Sequence, residues 1–374
     1  MDISVCLIVK DEQEVLERCL GCVKQFANEI IVVDTGSKDN TKQIAKKFTD
    51  KVYDFKWVDD FSKARNFSFS FAKCEYVMWL DADDFISRDN IKKILQLKKS
   101  DATADVYMLK YDIAFDEKNK AIFSYYRERI LKNNGKFFWQ GFVHEAIVPS
   151  GKIEYLDISI WHKRKQKTNP KRNVEIYEKH QKKGTVFGAR EWFYFGRELF
   201  YVKRYSKAEK CFRKFLNQPH KFLPNEIEAN IFIAKIYYIK GQLKKAKNFL
   251  FSSMKRFDLG AEGCCLLGDI FIKENNFPLA IFWYRNATLC TLDTKSGAFV
   301  DLSYSTFVPF VQLTYLYFCL GDFKQAQKYH QMAKEVCPNN ASVLHNEKVF
   351  ADKKLWRFCS LWYNGIKDKE NEDY

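Results

Sequence analysis

Residues 76–84 read Tyr76-Val-Met-Trp-Leu-Asp-Ala-Asp-Asp84, an apolar and aromatic run that ends in three closely spaced aspartates. A continuous apolar run of this length is typical of a strand buried on both faces of a sheet. In an extended segment the side chains of Asp81 and Asp83 point to the same side, because strand side chains alternate. Carboxylate oxygens are ligands that Mg²⁺ and Mn²⁺ prefer. This stretch therefore predicts a strand with a divalent metal site at its carboxyl end.

Two more buried strands are predicted upstream, at Ile3–Val9 and Glu29–Asp34, with helical segments between the strands. Alternating strands and helices predict a parallel sheet covered on both faces, in which a ligand binds at the carboxyl ends of the strands. Acidic or small polar residues follow all three strands, at Lys10-Asp-Glu12, Asp34-Thr-Gly-Ser37 and Asp81-Ala-Asp-Asp84. One such cluster could be only a helix cap or a turn. Because there are three, we expect them to meet in one crevice.

The pattern changes after residue 105. Stretches that mix apolar and polar residues predict further, more antiparallel strands at 106–113, 121–131, 142–148 and 153–161. The next stretch, 163–184, is charged and helix-like, which predicts a linker helix.

From about residue 191 the sequence is helical and internally repetitive. Gly196 stands twelve residues before Ala208, and the same spacing recurs at Gly268 and Ala280. Small residues at these points let paired helices approach closely. The pattern resembles about four tetratricopeptide repeats, and stacked helix pairs of this kind commonly bind a peptide or another protein. A generic helical bundle is the alternative.

The composition indicates a folded protein with room for two or three cores. Its 374 residues are 47% hydrophobic and 17% aromatic, with few Gly and Pro. The formal charge of +15 raises the question of a nucleic-acid partner. However, the lysines are spread along helical stretches, and no zinc-finger, RNP-like or basic-zipper spacing is present. We therefore expect no nucleic-acid partner.

The cysteines number 11, an odd count without a disulfide framework. Cys19 and Cys22 form a CxxC, but they belong to an apolar stripe at helical spacing, which predicts core residues and not a metal or redox pair. The sequence shows no signal peptide and no apolar run near 18 residues, so we expect a cytoplasmic protein without a transmembrane segment.

Three blocks resemble the signatures of family-2 glycosyltransferases with the GT-A fold: Cys6-Leu-Ile-Val-Lys-Asp-Glu12, Ile31-Val-Val-Asp-Thr-Gly-Ser-Lys-Asp-Asn-Thr41 and Trp79-Leu-Asp-Ala-Asp83. The resemblance covers roughly residues 1–165. It implies that the first two blocks cradle the nucleotide of a UDP-sugar, UDP-glucose first among the candidates. The contacts it implies are at Val9, Glu12, Asp34 and Asp39.

The same resemblance implies that Asp81 and Asp83 bind the diphosphate and its Mg²⁺ or Mn²⁺. The stretch Ser62-Lys-Ala-Arg-Asn66, which the family also tends to show, would put Arg65 near the nucleotide. The simpler interpretations are that Asp39 caps a helix and that Arg65 forms a surface ion pair.

Later blocks are similar to bacterial peptide S- and O-glycosyltransferases of the sublancin type, which also join a GT-A domain to tetratricopeptide-like helices. These blocks are Gly141-Phe-Val-His-Glu145, Trp161-His162 and Phe193-Tyr-Phe-Gly-Arg-Glu-Leu199. The likeness implies that His162 is a third metal ligand and Glu145 the acceptor-side base. On residue type alone, His144 could be a base or a ligand. The chain departs from the pattern at Asp84, where a different residue is expected.

The sequence thus predicts an α/β GT-A domain, Rossmann-like with a mostly parallel sheet and antiparallel additions, followed by an all-α tetratricopeptide-like solenoid. The predicted boundaries are 1–165 for the GT-A domain, 166–190 for the linker helix, 191–345 for the repeats and 346–374 for a tail.

The predicted function is metal-dependent, inverting transfer of a hexose from a UDP-sugar to a Cys, Ser or Thr side chain of a peptide or protein that the repeats bind. One alternative is a transferase for a cell-surface polysaccharide or lipid-linked glycan, and another is a non-catalytic repeat scaffold. Peripheral membrane contact and a homodimer both stay open.

Overall fold

A computed structural model of the protein describes residues 1–100, 103–115, 121–163, 169–290 and 301–351. This part of the chain forms two compact units, one over residues 1–219 and one over residues 220–351.

The first unit is built on a mixed sheet. Its strands are β1 Ile3–Val9, β2 Glu29–Asp34, β3 Val52–Asp54, β4 Tyr76–Asp81, β5 Asp84–Phe85, β6 Val106–Phe115, β7 Ala121–Lys132 and β8 Ile153–His162. The strand order is β3-β2-β1-β4-β7-β6-β8-β5. The first four in this order run parallel, and β7 is antiparallel to both β4 and β6. The predicted parallel sheet with antiparallel additions is confirmed.

Helices accompany the sheet in this unit: α1 Leu16–Val23, α2 Thr41–Lys46, α3 Phe61–Phe69, α4 Arg88–Lys99, α5 Arg172–Lys182, α6 Ala189–Tyr201 and α7 Tyr205–Leu216. Strand β1 shows why the sheet is covered on both faces. Val5 and Leu7 pack into a core that includes α1, whereas Cys6 packs into a second core with Trp79. Cys19 is buried in the first of these cores, as the apolar stripe predicted.

The predicted strand at 142–148 is wrong. The segment is a loop with one isolated bridge, between Gln140 and Ala146. The backbone takes positive φ at Gly141 (89°) and His144 (53°), and a strand cannot continue through left-handed residues. Phe142 and Val143, two of the apolar residues that suggested a strand, are buried although the segment that carries them is a loop.

The second unit is helical over its described residues. Its helices are α8 Leu223–Ile239, α9 Leu243–Met254, α10 Gly260–Lys273, α11 Phe277–Leu289, α12 Phe307–Cys319, α13 Phe323–Val336 and α14 Ala341–Ala351, with a 3-10 turn at Leu302–Ser305. The helices pack as pairs, α8 with α9, α10 with α11 and α12 with α13, and α6 packs with α7 in the first unit. These four pairs confirm the predicted number of repeats. Within the described ranges, no helix is both long enough and apolar enough to cross a bilayer.

Small residues sit where the paired helices touch, as the spacing predicted. Ala208 and Ala280 are completely buried. A Cβ atom built on Gly196 would lie 2.7 Å from the ring of Phe212, and one on Gly268 would lie 2.6 Å from the ring of Tyr284.

Gly268→Ala is therefore expected to destabilise the helical unit. Tyr284 is fully buried and its hydroxyl donates to Asp269 at 2.5 Å, so the ring cannot move aside freely. We expect a loss of about 1–3 kcal/mol in the free energy of unfolding, measured by urea denaturation. Gly21→Ala in helix α1 is the control, because nothing lies within 4 Å of its added Cβ. That change should stabilise by roughly 0.5–1 kcal/mol. Equal effects of the two changes would contradict the packing described.

Candidate active site

A cleft of about 660 Å³ opens at the carboxyl ends of the parallel strands. All three polar clusters that follow these strands contribute to its lining: Lys10, Asp11, Glu12, Thr35, Asp81 and Asp83. The prediction that the clusters meet in one crevice is confirmed. The loop that contains His144 and Glu145, together with residues at the start of α5, completes the lining.

Arg65 lines the cleft and bridges two of its carboxylates. Its Nη2 donates to Asp81 Oδ1 and its Nε donates to Glu145 Oε1, both at 2.7 Å. The guanidinium also lies over the rings of Trp79 and Trp139, at 5.0 and 4.6 Å. Its side chain is only 9% exposed, so the arginine is a buried bridge between two carboxylates and not a surface ion pair. Asp60 caps the start of α3, the helix that carries Arg65, and accepts from the amide of Lys63 at 3.0 Å.

The electrostatics around Asp81 favour its ionised form. Burial alone would raise the pKa of this carboxyl, but the positive charges of Arg65 and Arg129 outweigh burial and lower the pKa to about 2. Asp81 is therefore an anion at neutral pH, with one oxygen taken by Arg65.

Asp83, Asp84 and His162 form a group that could bind a metal ion. Each offers one ligand atom, and these atoms all lie within 4.8 Å of one another. Strand β5 pairs with the end of β8, which brings Asp84 opposite His162. Burial would lower the pKa of the imidazole, but hydrogen bonding to Asp83 and Asp84 outweighs it and raises the pKa to about 10. Asp83 and His162 were both predicted from the sequence, whereas Asp84 was noted only as a departure.

Three neighbouring groups hold the carboxylate of Asp84 in place. Its carboxylate is fully buried and pairs with Arg129 at 3.0 Å. It also accepts from the backbone N–H of Asp81 and from the hydroxyl of Tyr111, each at 3.0 Å. The Tyr111 hydroxyl lies 2.8 Å from Nδ1 of His162. Asp84 therefore orients the turn after β4 and, through Tyr111, the histidine.

Sequence reasoning missed Arg129. Its guanidinium is completely buried and lies 3.6 Å from the ring centroid of Trp79 and 4.2 Å from that of Tyr111. Little in the sequence marked it, because Arg129 closes the charged run Arg127-Glu128-Arg129 just before Ile130 and Leu131. A buried charge at such a position needs a partner of opposite sign, which here is Asp84.

The residues expected to contact the nucleotide divide into two sets. Val9 and Glu12 line the cleft. Asp34 and Asp39 are not among the lining residues. Asp34 is buried, and its Oδ1 accepts from the amides of Gly36 and Ser37 at 2.9 Å, while Oδ2 has no hydrogen-bond partner among the residues that the structure describes.

Asp39 organises the turn that leads into α2. Its Oδ1 accepts from the amide and the hydroxyl of Thr41, at 3.0 and 2.5 Å, and its Oδ2 accepts from the amide of Gln13. Burial would raise the pKa of this carboxyl, but these hydrogen bonds lower it. In this structure Asp39 therefore links the turn before α2 to Gln13, the residue that follows the first sequence block.

His144 and Glu145 both line the cleft. Glu145 is bound to Arg65, as described above. His144 points its Nε2 to Glu198 Oε1 at 2.6 Å, and its ring stacks on Tyr194 with 4.4 Å between centroids. His144 is not part of the group formed by Asp83, Asp84 and His162.

The mixed sheet and the cleft at its strand ends define an α/β domain of the GT-A-like class. Residues 4–150 match the family described as glycosyl transferase family 2. This part of the chain is a family-2 glycosyltransferase domain.

Two curated relatives and one solved structure illustrate the likeness. A TPR repeat-containing protein of Synechococcus elongatus is 46% identical over 82 residues, 22% of this chain and 20% of that protein. The glycosyltransferase SunS of Bacillus subtilis is 28% identical over 240 residues, 59% of this chain and 54% of that protein. The chain thus spans about half or less of these relatives. A crystal structure of residues 1–349 of S. aureus TarS aligns with a TM-score of 0.34 at 14% identity, over 84% of this chain and 91% of that one.

Proposed function

We propose that this protein is a metal-dependent, inverting hexosyltransferase that moves a hexose from a UDP-sugar, first of all UDP-glucose, to a Cys, Ser or Thr side chain of a peptide or protein. The observation that carries the proposal is a potential metal-ligand group, Asp83, Asp84 and His162, in the same cleft region as the carboxylate of Glu145. The family-2 domain supports the donor class. The tetratricopeptide-like helices support a peptide or protein acceptor.

The side chains present fit a hard divalent cation. Carboxylate and imidazole donors together suit Mn²⁺, and carboxylates alone suit Mg²⁺. Asp83 and His162 line the cleft, so we assign them as direct ligands. The buried Asp84 would orient them, and Asp81 would lie on the diphosphate side. When bound, the ion would offset the negative charge that builds on the departing nucleoside diphosphate.

The acceptor side needs a group that takes a proton. In an inverting displacement the acceptor oxygen or sulfur attacks the anomeric carbon, the bond from that carbon to the diphosphate breaks, and the acceptor proton goes to a base. We assign this role to Glu145, with His144 as the neighbouring alternative. The ion pair with Arg65 fixes the Glu145 carboxylate in the cleft. A thiol acceptor, with an ordinary pKa of about 8.5, would need less help from the base than a hydroxyl.

Glu145→Gln tests the base. The amide keeps the size of the side chain but cannot take the proton, so we expect the rate of UDP release from UDP-glucose with Mn²⁺ to fall by about 10²–10⁴-fold. The dissociation constant for UDP, measured by isothermal titration, should change little. Glu154→Gln on the exposed part of β8 is the matched control and should keep the wild-type rate. A Glu145→Gln protein with the wild-type rate would remove Glu145 from this role.

The acceptor class is tested by mass spectrometry. The enzyme, UDP-glucose and Mn²⁺ would be incubated with a mixture of synthetic Cys- and Ser-containing peptides, and separately with a membrane extract. We expect the mass of one hexose to be added to a peptide. Addition only to glycan or lipid in the membrane extract would favour the polysaccharide alternative instead.

A cytoplasmic location is part of the proposal. The described cysteines, Cys6 and Cys211 among them, are free thiols, as is usual in a reducing compartment.

A further inference from the structure

The loop that carries Glu145 contains a strained residue. His144 has φ of 53°, in the left-handed region that non-glycine residues rarely adopt. Such a conformation persists only where surrounding contacts stabilise it, and it occurs preferentially at functional sites. The question is therefore what fixes His144 next to Glu145.

One face of helix α6 supplies the contacts. Arg190, Tyr194 and Glu198 are spaced four residues apart, so their side chains lie on the same side of the helix. Arg190 donates to the backbone carbonyl of His144. The Tyr194 ring stacks on the imidazole with 18° between the ring planes, and Glu198 bonds to Nε2 at 2.6 Å.

Glu198 is itself firmly fixed. Its side chain is 15% exposed, and its Oε1 also accepts from Asn173 Nδ2 at 3.2 Å. Burial would raise the pKa of this carboxyl, but the hydrogen bonds from His144 and Asn173 outweigh burial and lower it. An ionised carboxylate can only accept a hydrogen bond, so Nε2 of His144 is the donor in its bond to Glu198. This bond fixes the orientation of the imidazole ring.

We propose that Glu198 is a positioning residue for sugar transfer: with Arg190 and Tyr194 it clamps His144 in its left-handed conformation and so places the Glu145 carboxylate in the cleft. This inference rests on the proposed function, because it assigns how the acceptor-side base is aligned. It makes helix α6, the first helix of the repeat region, a part of the active site.

The test compares three variants for UDP release from UDP-glucose with Mn²⁺. Glu198→Ala removes the acceptor for Nε2, and a displacement of about 1 Å at the loop should lower kcat by about 10²-fold. The dissociation constant for UDP should stay within about twofold, since the nucleotide side is untouched. Glu198→Gln keeps an acceptor oxygen and should retain most of the rate. Glu209→Ala on helix α7 is the control, because it removes a carboxylate of similar exposure, 19%, that pairs with Arg213.

A double variant shows whether the effect runs through the base. In a Glu145→Gln background, Glu198→Ala should cause little further loss, because residues that act as a unit are not additive. Full additivity, a wild-type kcat for Glu198→Ala, or equal losses for Glu198→Ala and Glu198→Gln would each overturn the positioning role.

Hydrogen–deuterium exchange gives a readout that does not depend on transfer. The amides of Gln140 and Ala146 are bonded to each other's carbonyls, at 2.9 and 3.1 Å, across the base of the loop. In Glu198→Ala these amides should exchange at least about tenfold faster than in the wild type. Unchanged exchange would refute the clamp. If the wild type released no UDP from any donor while the exchange difference was present, the proposed function would fail and the clamp would stand.

Discussion

Asp83→Asn is expected to abolish most of the Mn²⁺-dependent release of UDP from UDP-glucose, with a loss of at least about 10²-fold. Within the group proposed to bind the metal ion, Asp83 is the carboxylate that lines the cleft, whereas the carboxylate of Asp84 is fully buried and pairs with Arg129. Asparagine is nearly the same size but lacks the negative charge, so the fold should persist and the metal affinity should not. Initial rates at saturating UDP-glucose over a series of Mn²⁺ concentrations would measure the loss.

Asp89→Asn is the matched control. Asp89 lies in the first turn of α4 with a side chain that is 86% exposed, and its pair with Lys92 is at the surface. This variant should keep the wild-type rate and the wild-type response to Mn²⁺. If Asp83→Asn behaved in the same way as Asp89→Asn, Asp83 would not be a metal ligand and the mechanism would have to be revised.

The second large effect is expected for Arg65→Met. This change leaves the carboxylates of Asp81 and Glu145 without the buried guanidinium that both contact at 2.7 Å. Breaking a buried ion pair by removing one partner costs about 3–5 kcal/mol, and we expect a loss of that order in the free energy of unfolding. Urea denaturation would measure it. Lys63→Met on the same helix is the control, because Lys63 is largely exposed and lies 3.9 Å from Asp60.

The stability difference should depend on pH. In the wild type the pKa of Asp81 is lowered to about 2, so its contribution to stability is present above its unfolded pKa and is lost as pH falls toward 2. At low pH Asp81 is protonated and uncharged in the Arg65→Met variant, so the missing guanidinium no longer destabilises the folded state through Asp81. The difference in free energy of unfolding between wild type and variant should therefore become smaller as the pH falls. If the difference in free energy of unfolding stayed constant from neutral pH to about pH 3, the stabilisation could not come from the ion pair of Asp81 with Arg65.

Much of the fold followed from local patterns. The three buried strands were predictable because a strand covered on both faces is mostly apolar, and β1, β2 and β4 are almost entirely buried. The convergence of their polar ends followed from the geometry of parallel strands. The helix pairs followed from the spacing of small residues such as Gly268, which leaves no room for a side chain.

The loop that contains His144 and Glu145 could not be predicted from local pattern. The apolar residues at 142–148 suggested a strand, but the path of the chain is determined by contacts to Arg65 and to helix α6, which are distant in sequence. Tertiary contacts of this kind override the local preference. The spacing of Arg190, Tyr194 and Glu198 was visible in the sequence, but nothing local indicated which residue they would contact.

The buried ion pair of Asp84 and Arg129 could not be predicted from the sequence either. Asp84 and Arg129 lie 45 residues apart and meet only because β4 pairs with β7, and β5 with β8. The motif Asp81-Ala-Asp83 suggested that both of its carboxylates bind a metal. In the structure both aspartates line the cleft, one oxygen of Asp81 accepts from Arg65, and Asp83 lies close to Asp84 and His162. A short acidic motif thus locates a site without telling which oxygens face the ligand.

The most direct test of the central claim is anomalous diffraction at the manganese edge from crystals soaked with UDP and Mn²⁺. We predict one anomalous peak within about 2.6 Å of a carboxylate oxygen of Asp83 and an imidazole nitrogen of His162, next to the diphosphate of UDP. An ion bound elsewhere, or a cleft in which side chains leave no space for the nucleotide, would contradict the account.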